Sequence, residues 1–342
     1  MPQPTVITDV FQKRAQIYFN STRHSYMVRV PGVVEKFFQP SITGVLGQKA
    51  KPALTAWAAK QSLAYVANRL GEYESSQGAP PFSVNTQEVS SWLAEGAECW
   101  NEEKSATTIG TVAHRFAYEE LRWRAGLTDH RPKLPITYDP VLMPEFTDKM
   151  VDATNSSVLA ALDFFDAHHI KPFLLERPVW CPQEGYLGTP DFFGEIDGEF
   201  CVLDFKSSKH PYPEYWCQLA ALQNAFSVEF PDMPVKRRWI VVIHKDGSGL
   251  EAVSRELDER YTQDLNAFRA CLNLYNWDRA NDEYRKGDPV YVLGDLDALI
   301  PRPNSPAAVA QEPAKRPMAP SSPVTSGAKN LTTEDNNTPW PL

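Results

Sequence analysis

An Asp197-Gly198 pair between two apolar runs constrains this chain more than any other feature, because it specifies a hairpin and its register together. Asp-Gly in that setting favours a two-residue turn, so Ile196 pairs with Glu199 and each outward step pairs the next residues. Counting back, Asp191 of Gly188-Thr189-Pro190-Asp191 falls opposite Asp204 of Asp204-Phe205-Lys206. Directly opposed residues share a face with Cβ atoms roughly 5 Å apart, where two carboxylates repel. Strand alternation turns Lys206 to that same face. The other face reads Phe192, Ile196, Cys201, Leu203 and Phe205, a core face that pins the register, since a one-residue slip would bury the charges.

Two readings of the charged face are open. One is a half-buried Asp-Lys pair on a sheet edge. The other is a hard divalent cation, since Mg²⁺ or Mn²⁺ accepts carboxylates, water and a main-chain carbonyl such as that of Phe205. Such an ion needs further donors, and two candidates lie upstream. Glu176 sits in Phe173–Trp180, an apolar run bounded by Pro172 and Pro182 that predicts the strand before the hairpin. His114 sits in Thr108–Phe116, which reads as a helix start with Gly110 one turn before the histidine on the same face. A glycine there lets the helix approach a neighbouring strand closely. Singly, each has a plainer reading: a rim glutamate, a satisfied histidine and, for Gln218, a helix-surface amide.

Taken together, these residues resemble the PD-(D/E)xK nuclease superfamily, and more closely its RecB-like branch, which includes the phage-type recombination exonucleases. The resemblance rests on five elements in the family's order. Gly110-Thr111-Val112-Ala113-His114 is similar to the GxxxH helix, Glu176 to the isolated glutamate, and Gly188 to Asp191 to the GxxD strand. Asp204-Phe205-Lys206 is similar to the DxK strand, and Gln218 to Leu222 to the glutamine helix. Weaker similarity to the same branch covers Pro40–Leu46 and Lys51–Trp57. One position departs: the glutamine motif usually continues to a tyrosine, and here Leu222 stands there, with Tyr215 a candidate replacement one turn earlier.

The resemblance implies a restriction-endonuclease-like α/β core, a mixed β-sheet flanked by helices. It also implies a metal-dependent DNA exonuclease that resects linear duplex ends in recombination or repair. His114, Asp191, Asp204 and the Phe205 carbonyl would hold one or two Mg²⁺ or Mn²⁺ ions, with little activity expected in Ca²⁺. Lys206 would orient or deprotonate the attacking water and stabilise the phosphate, while Glu176 and Gln218 complete the catalytic set. Lys209, His210 and Tyr215 would contact the nucleic acid. The alternatives are a structure-selective endonuclease and a non-catalytic DNA-binding scaffold. Intact His114, Glu176, Asp191, Asp204, Lys206 and Gln218 argue against the scaffold.

The net charge of -9 opposes a DNA-binding role, since phosphate binding usually leaves a basic footprint. Local clusters have to answer it: Lys206, Lys209 and His210 after the DxK strand, and Lys236-Arg237-Arg238 before the next, the latter reading alone as a solvated strand end. Cys99, Cys181, Cys201, Cys217 and Cys271 lack CxxC spacing. Some RecB-like relatives carry an iron-sulfur cluster on late clustered cysteines, so none is expected here. Free thiols are the expectation in a cytoplasmic location. The sequence has neither a run of membrane length nor a signal-peptide start.

The sequence divides into residues 1–108, a strand and helix region packing on the core; 109–285, the nuclease core; and 286–342, a Pro-rich disordered tail. Composition shifts to Pro, Ala, Ser, Thr and Asn from about Pro301. Within the first region a strand pair is expected over Tyr18–Val30 and a helix over Lys51–Leu70; Gly71–Asn85 reads as a loop. A long helix is expected over Glu145–His168 and a last one over Arg260–Trp277. The tip from Glu334 to Leu342 sets Trp340 and Leu342 after acidic residues, a candidate docking peptide for a recombinase or single-strand binding protein. An oligomer is compatible with these features.

Overall fold

β-branched and aromatic residues alternate with polar ones through the N-terminal region, and they build four strands rather than the expected pair. These are β1 (Val6–Val10), β2 (Ala15–Asn20), β3 (Ser25–Val30) and β4 (Val34–Gln39), an antiparallel meander. The computed structural model describes residues 6–20, 25–49, 69–70, 101–137, 147–244, 248–281, 292–294 and 296–299. The Gly71–Asn85 loop, almost all of the Lys51–Leu70 helix and, of the tail expected over 286–342, residues 286–291, 295 and 300–342 lie outside these.

After the meander come α1 (Ile42–Leu46), capped by Ser41, then α2 (Asn101–Arg124) and α3 (Asp148–Ala167), capped by Thr147. The Thr108–Phe116 stretch is therefore mid-helix and not a helix start. Next are β5 (Ile170–Leu175), β6 (Val179–Cys181), β7 (Tyr186–Gly188), β8 (Phe192–Ile196) and β9 (Glu199–Lys206). Finally come α4 (Pro213–Glu229), β10 (Arg237–Ile243), β11 (Leu250–Glu256), α5 (Glu259–Asn281) and α6 (Leu296–Leu299).

The central sheet runs β11-β10-β9-β8-β5 and is mixed, with β9 and β10 parallel and the other pairs antiparallel. On one face Phe192, Ile196, Cys201, Leu203 and Phe205 pack with Ala117 and Leu121 of α2 and with Ala161, Phe164 and Phe165 of α3. On the other, Phe193, Val202, Ile240 and Val242 pack with Leu219, Leu222 and Phe226 of α4 and Phe268 and Leu272 of α5. The molecule is thus α/β with a mixed sheet between helical layers. The hairpin's charged face is consequently also a core face, which the sequence reading did not anticipate: α4 covers it, and polar groups are confined to its end. The meander packs through Ile17, Val28 and Phe37 on Trp180 of β6 and Leu187 of β7. The first compact unit extends from Met1 to Ile300, and Leu296 of α6 is buried in it.

The hairpin turn takes the predicted form, with Asp197 and Gly198 at φ 53° and 83° and Ile196 paired with Glu199. Asp197 also accepts from His168 Nδ1 at 2.6 Å and from the His169 amide at 2.8 Å. These two donors hold its carboxyl below the ordinary range. A lowered carboxylate contributes stability above its unfolded value of about 3.9 and loses it as pH falls through the folded value. Asp197→Ala should therefore lower the melting temperature measurably at pH 7, and the gap to wild type should shrink by pH 3. A gap equal at both pH values would show that the carboxylate's charge contributes nothing.

Candidate active site

Two strand ends and a loop meet where the hairpin opens. Asp191 lies just outside the ladder, because Pro190 supplies no N–H and β7 already ends at Gly188. The GxxD segment is therefore a strand end followed by a bend, not the strand expected. Asp191 Oδ2 instead accepts from the Phe205 amide at 2.6 Å, which ties it to β9.

Asp204 is only 3% exposed. It is held in a closed triangle. The Lys206 ammonium pairs with its Oδ2 and donates to Gln218 Oε1 at 3.0 Å, while Gln218 Nε2 donates to Asp204 Oδ1 at 3.1 Å. Burial pushes the Asp204 carboxyl up to about 6, with Asp191 adding to the rise and Lys206 opposing it. Burial works against the Lys206 ammonium too, yet Asp204 and Asp191 outweigh it and leave its pKa above the ordinary value.

His114 arrives on α2. A Cβ at Gly110 would stand 2.7 Å from Ser207 Oγ and 3.3 Å from its Cβ, so a larger residue would have to displace Ser207 for the helix to sit this close to the end of β9. That matches the close approach inferred from the sequence. His114 Nδ1 lies 3.9 Å from Asp191 Oδ2.

Glu176 is not within a strand: the expected Phe173–Trp180 strand breaks into β5 and β6. Pro178 is the sequence signal for that break, and Glu176 at its start takes φ 46°. A non-glycine in the left-handed region costs of order 1 kcal/mol or more and marks a residue whose surroundings dictate its conformation. Its amide donates to the Asp191 carbonyl at 3.3 Å. Burial and then Asp191 raise its carboxyl pKa, against Arg115 and His114.

His114, Glu176, Asp191 and Phe205 line one small open pocket, together with Tyr118 and Leu121. Four of the predicted residues, drawn from four separate stretches of sequence, thus share one wall. Asp204, Lys206 and Gln218 adjoin it behind Asp191 and Phe205. Tyr215 is half-buried with its ring 4.9 Å from the Lys206 ammonium, and Leu222 packs over Gly188 in the core. Lys209 and His210 are exposed on the loop after β9.

The Lys236-Arg237-Arg238 cluster does not form a solvated basic patch. Arg238 is 1% exposed and pairs with Asp264 at 2.7 Å, and Arg237 is bound between Glu199 and Glu256. Cross-strand and α5 carboxylates consume this charge.

Among the described residues, no three His, Cys, Asp or Glu side chains are grouped closely enough to hold a metal ion. The donor chemistry nevertheless fits a hard divalent cation: carboxylates, an imidazole and a main-chain carbonyl, with Asp191 raising the pKa of both Asp204 and Glu176. Sequence reasoning missed Tyr118 and Leu121, which line the pocket, and Arg115, whose charge acts on Glu176; their spacing reads as an ordinary helix face. It also missed Arg177, which follows Glu176 in the chain and binds Glu229 and the Asp9 carbonyl. Among the described residues, no helix is long and apolar enough to cross a membrane.

No family model matches this chain, and no curated protein matches it. Among solved structures, one titled "Crystal structure of SSO0001" is similar at 12% identity, covering 48% of this chain and 90% of that one. Its TM-score is 0.19, a likeness on which no argument rests.

Proposed function

We propose that this chain is a metal-dependent deoxyribonuclease with a restriction-endonuclease-like core, acting as an exonuclease on linear duplex DNA. The observation that supports this reading is the shared pocket. His114, Glu176, Asp191 and Phe205 come from separate segments and converge on one space, with the Asp204–Lys206–Gln218 triangle beside it. A structural Asp-Lys pair requires neither the imidazole nor the strained glutamate.

His114, Asp191, Asp204 and the Phe205 carbonyl would hold Mg²⁺ or Mn²⁺. When bound, such an ion supplies Lewis-acid stabilisation of charge on the attacked phosphate. The chain's own groups divide the remaining work. Lys206 places a positive charge where phosphate oxygens gain negative charge, and Gln218 fixes its position. Glu176, raised by burial, is suited to hold or accept a proton from water in the pocket.

The test uses end-labelled linear and closed circular duplex DNA with Mg²⁺, Mn²⁺ or EDTA. Loss of only the linear DNA, with metal, is the expected result. Cutting of the circle would replace the exonuclease reading with an endonuclease one, and inertness under all conditions would leave the binding or scaffold reading.

A further inference from the structure

The bend that carries Asp191 is held from outside by the N-terminal meander. Leu187 of β7 donates its amide to the Pro40 carbonyl at 3.1 Å and forms a parallel bridge with Ser41. A Cβ at Gly188 would stand 2.5 Å from Ile42 Cδ1, so the chain leaving β4 lies directly against the start of the bend. Tyr26 of β3 reaches the bend itself: its hydroxyl and Thr189 Oγ1 are 3.0 Å apart, and either can donate.

Tyr26 and Thr189 are both half-buried. Burial raises the pKa of the Tyr26 phenol, with the Thr189 hydrogen bond opposing the rise. The Tyr26 ring lies 4.7 Å from that of Phe19 between centroids, and a phenylalanine at 26 would keep this contact. The hydroxyl is therefore not needed for packing, and a desolvated hydroxyl is unfavourable without a partner, which Thr189 supplies. What the bond fixes follows from the next residue. Proline locks its own φ at about -65° and confines the residue before it to extended backbone. Thr189-Pro190-Asp191 is thus a stiff segment, in which holding Thr189 sets where Asp191 emerges. On its inner side Asp191 accepts from the Phe205 amide at 2.6 Å through Oδ2 and from the Glu176 amide at 3.3 Å through its carbonyl. Tyr26 adds the outer restraint.

We propose that Tyr26 is a positioning residue, which through Thr189 holds Asp191 in the direction that binds a divalent cation in the pocket. The proposal rests on the metal site of the nuclease reading, and it gives the N-terminal meander a part in that site. A carboxylate already fixed in its ligating direction loses less freedom when the cation arrives, so the restraint is read as cation affinity.

The experiment is calorimetric titration of the DNA-free protein with MnCl₂, beside a thermal melt of each variant without metal. Tyr26→Phe and Thr189→Val should each weaken Mn²⁺ binding about three- to tenfold, the scale of one neutral hydrogen bond. The double variant should lose no more than either single one, because both substitutions remove the same bond. Thr189→Ser keeps a hydroxyl and should bind as wild type does. Tyr18→Phe is the control: it removes a hydroxyl of the same meander, one that donates to Gln16 at 3.1 Å, and should leave Mn²⁺ affinity unchanged. Tyr26 and Thr189 lie in different segments, so either variant serves if the other does not fold.

A bond that only stabilises the fold would lower the melting temperature and leave the folded variants' Mn²⁺ affinity unchanged, and that result overturns the proposal. Additive losses in the double variant overturn it too, as does an equal loss in Thr189→Ser or Tyr18→Phe, or a wild type that binds no Mn²⁺. Since binding is read without DNA or turnover, weakened Mn²⁺ binding in a protein that cuts no DNA would refute the nuclease reading alone. Cleavage by wild type with unchanged Mn²⁺ affinity in both variants would refute the positioning role alone.

Discussion

Lys206→Ala is expected to slow cleavage of linear duplex DNA by about 10²–10³-fold, the scale of losing one preorganised charge-stabilising group. The substitution removes the ammonium that pairs with Asp204 and leaves that carboxylate, 3% exposed, with its single hydrogen bond from Gln218. Burial already holds Asp204 at about 6 while Lys206 opposes the rise. Without Lys206 the carboxyl moves higher and spends part of its time protonated at neutral pH. One substitution thus removes one charge from the site and weakens a second. Gln218→Ala should cost less, about tenfold, because the Lys206–Asp204 pair survives it. The check is the initial rate of label release in saturating Mg²⁺ at pH 8, beside a thermal melt of each variant. A Lys206→Ala rate within tenfold of wild type, in a folded protein, would remove Lys206 from the catalytic set.

The features that sequence made legible are those set by local rules. The Asp197-Gly198 turn dictated the β8–β9 register, and the register brought Asp191 and Asp204 together without any tertiary information. Gly110 announced a close helix approach because a Cβ there would crowd Ser207. What stayed hidden depended on partners distant in sequence. Arg238 reads as surface, but Asp264 and the rings of Trp216 and Tyr261 receive it in the core. Phe173–Trp180 reads as one strand because apolar periodicity does not register a residue forced to positive φ, and only Pro178 hinted at the break. Val34–Gln39 escaped notice because Glu35 and Lys36 interrupt its apolar pattern on the exposed side of the meander.

Glu229 carries the largest structural prediction. It is the last residue of α4, where the helix dipole disfavours a negative charge, and it is 8% exposed, so only strong partners account for it. Arg177 supplies two hydrogen bonds, at 2.6 and 3.0 Å, and the Phe11 amide a third at 2.7 Å. Phe11 opens a turn in which Phe11, Gln12 and Lys13 all adopt positive φ, and Arg177 also donates to the Asp9 carbonyl at 3.1 Å. One carboxylate therefore anchors the β1–β2 turn, the end of α4 and the segment just after Glu176. Glu229→Ala leaves the Phe11 amide without its acceptor and Arg177 with only the Asp9 carbonyl, and removing one partner of a buried pair costs up to about 3–5 kcal/mol. Urea unfolding should show the midpoint falling by that equivalent at unchanged slope. Glu229→Gln, which keeps acceptor geometry for one oxygen, should lose less. Because Arg177 fixes its neighbour, Glu229→Gln should also reduce the cleavage rate although the residue lies outside the pocket. Full activity with full stability in both variants would mean that the network orders neither the turn nor the glutamate.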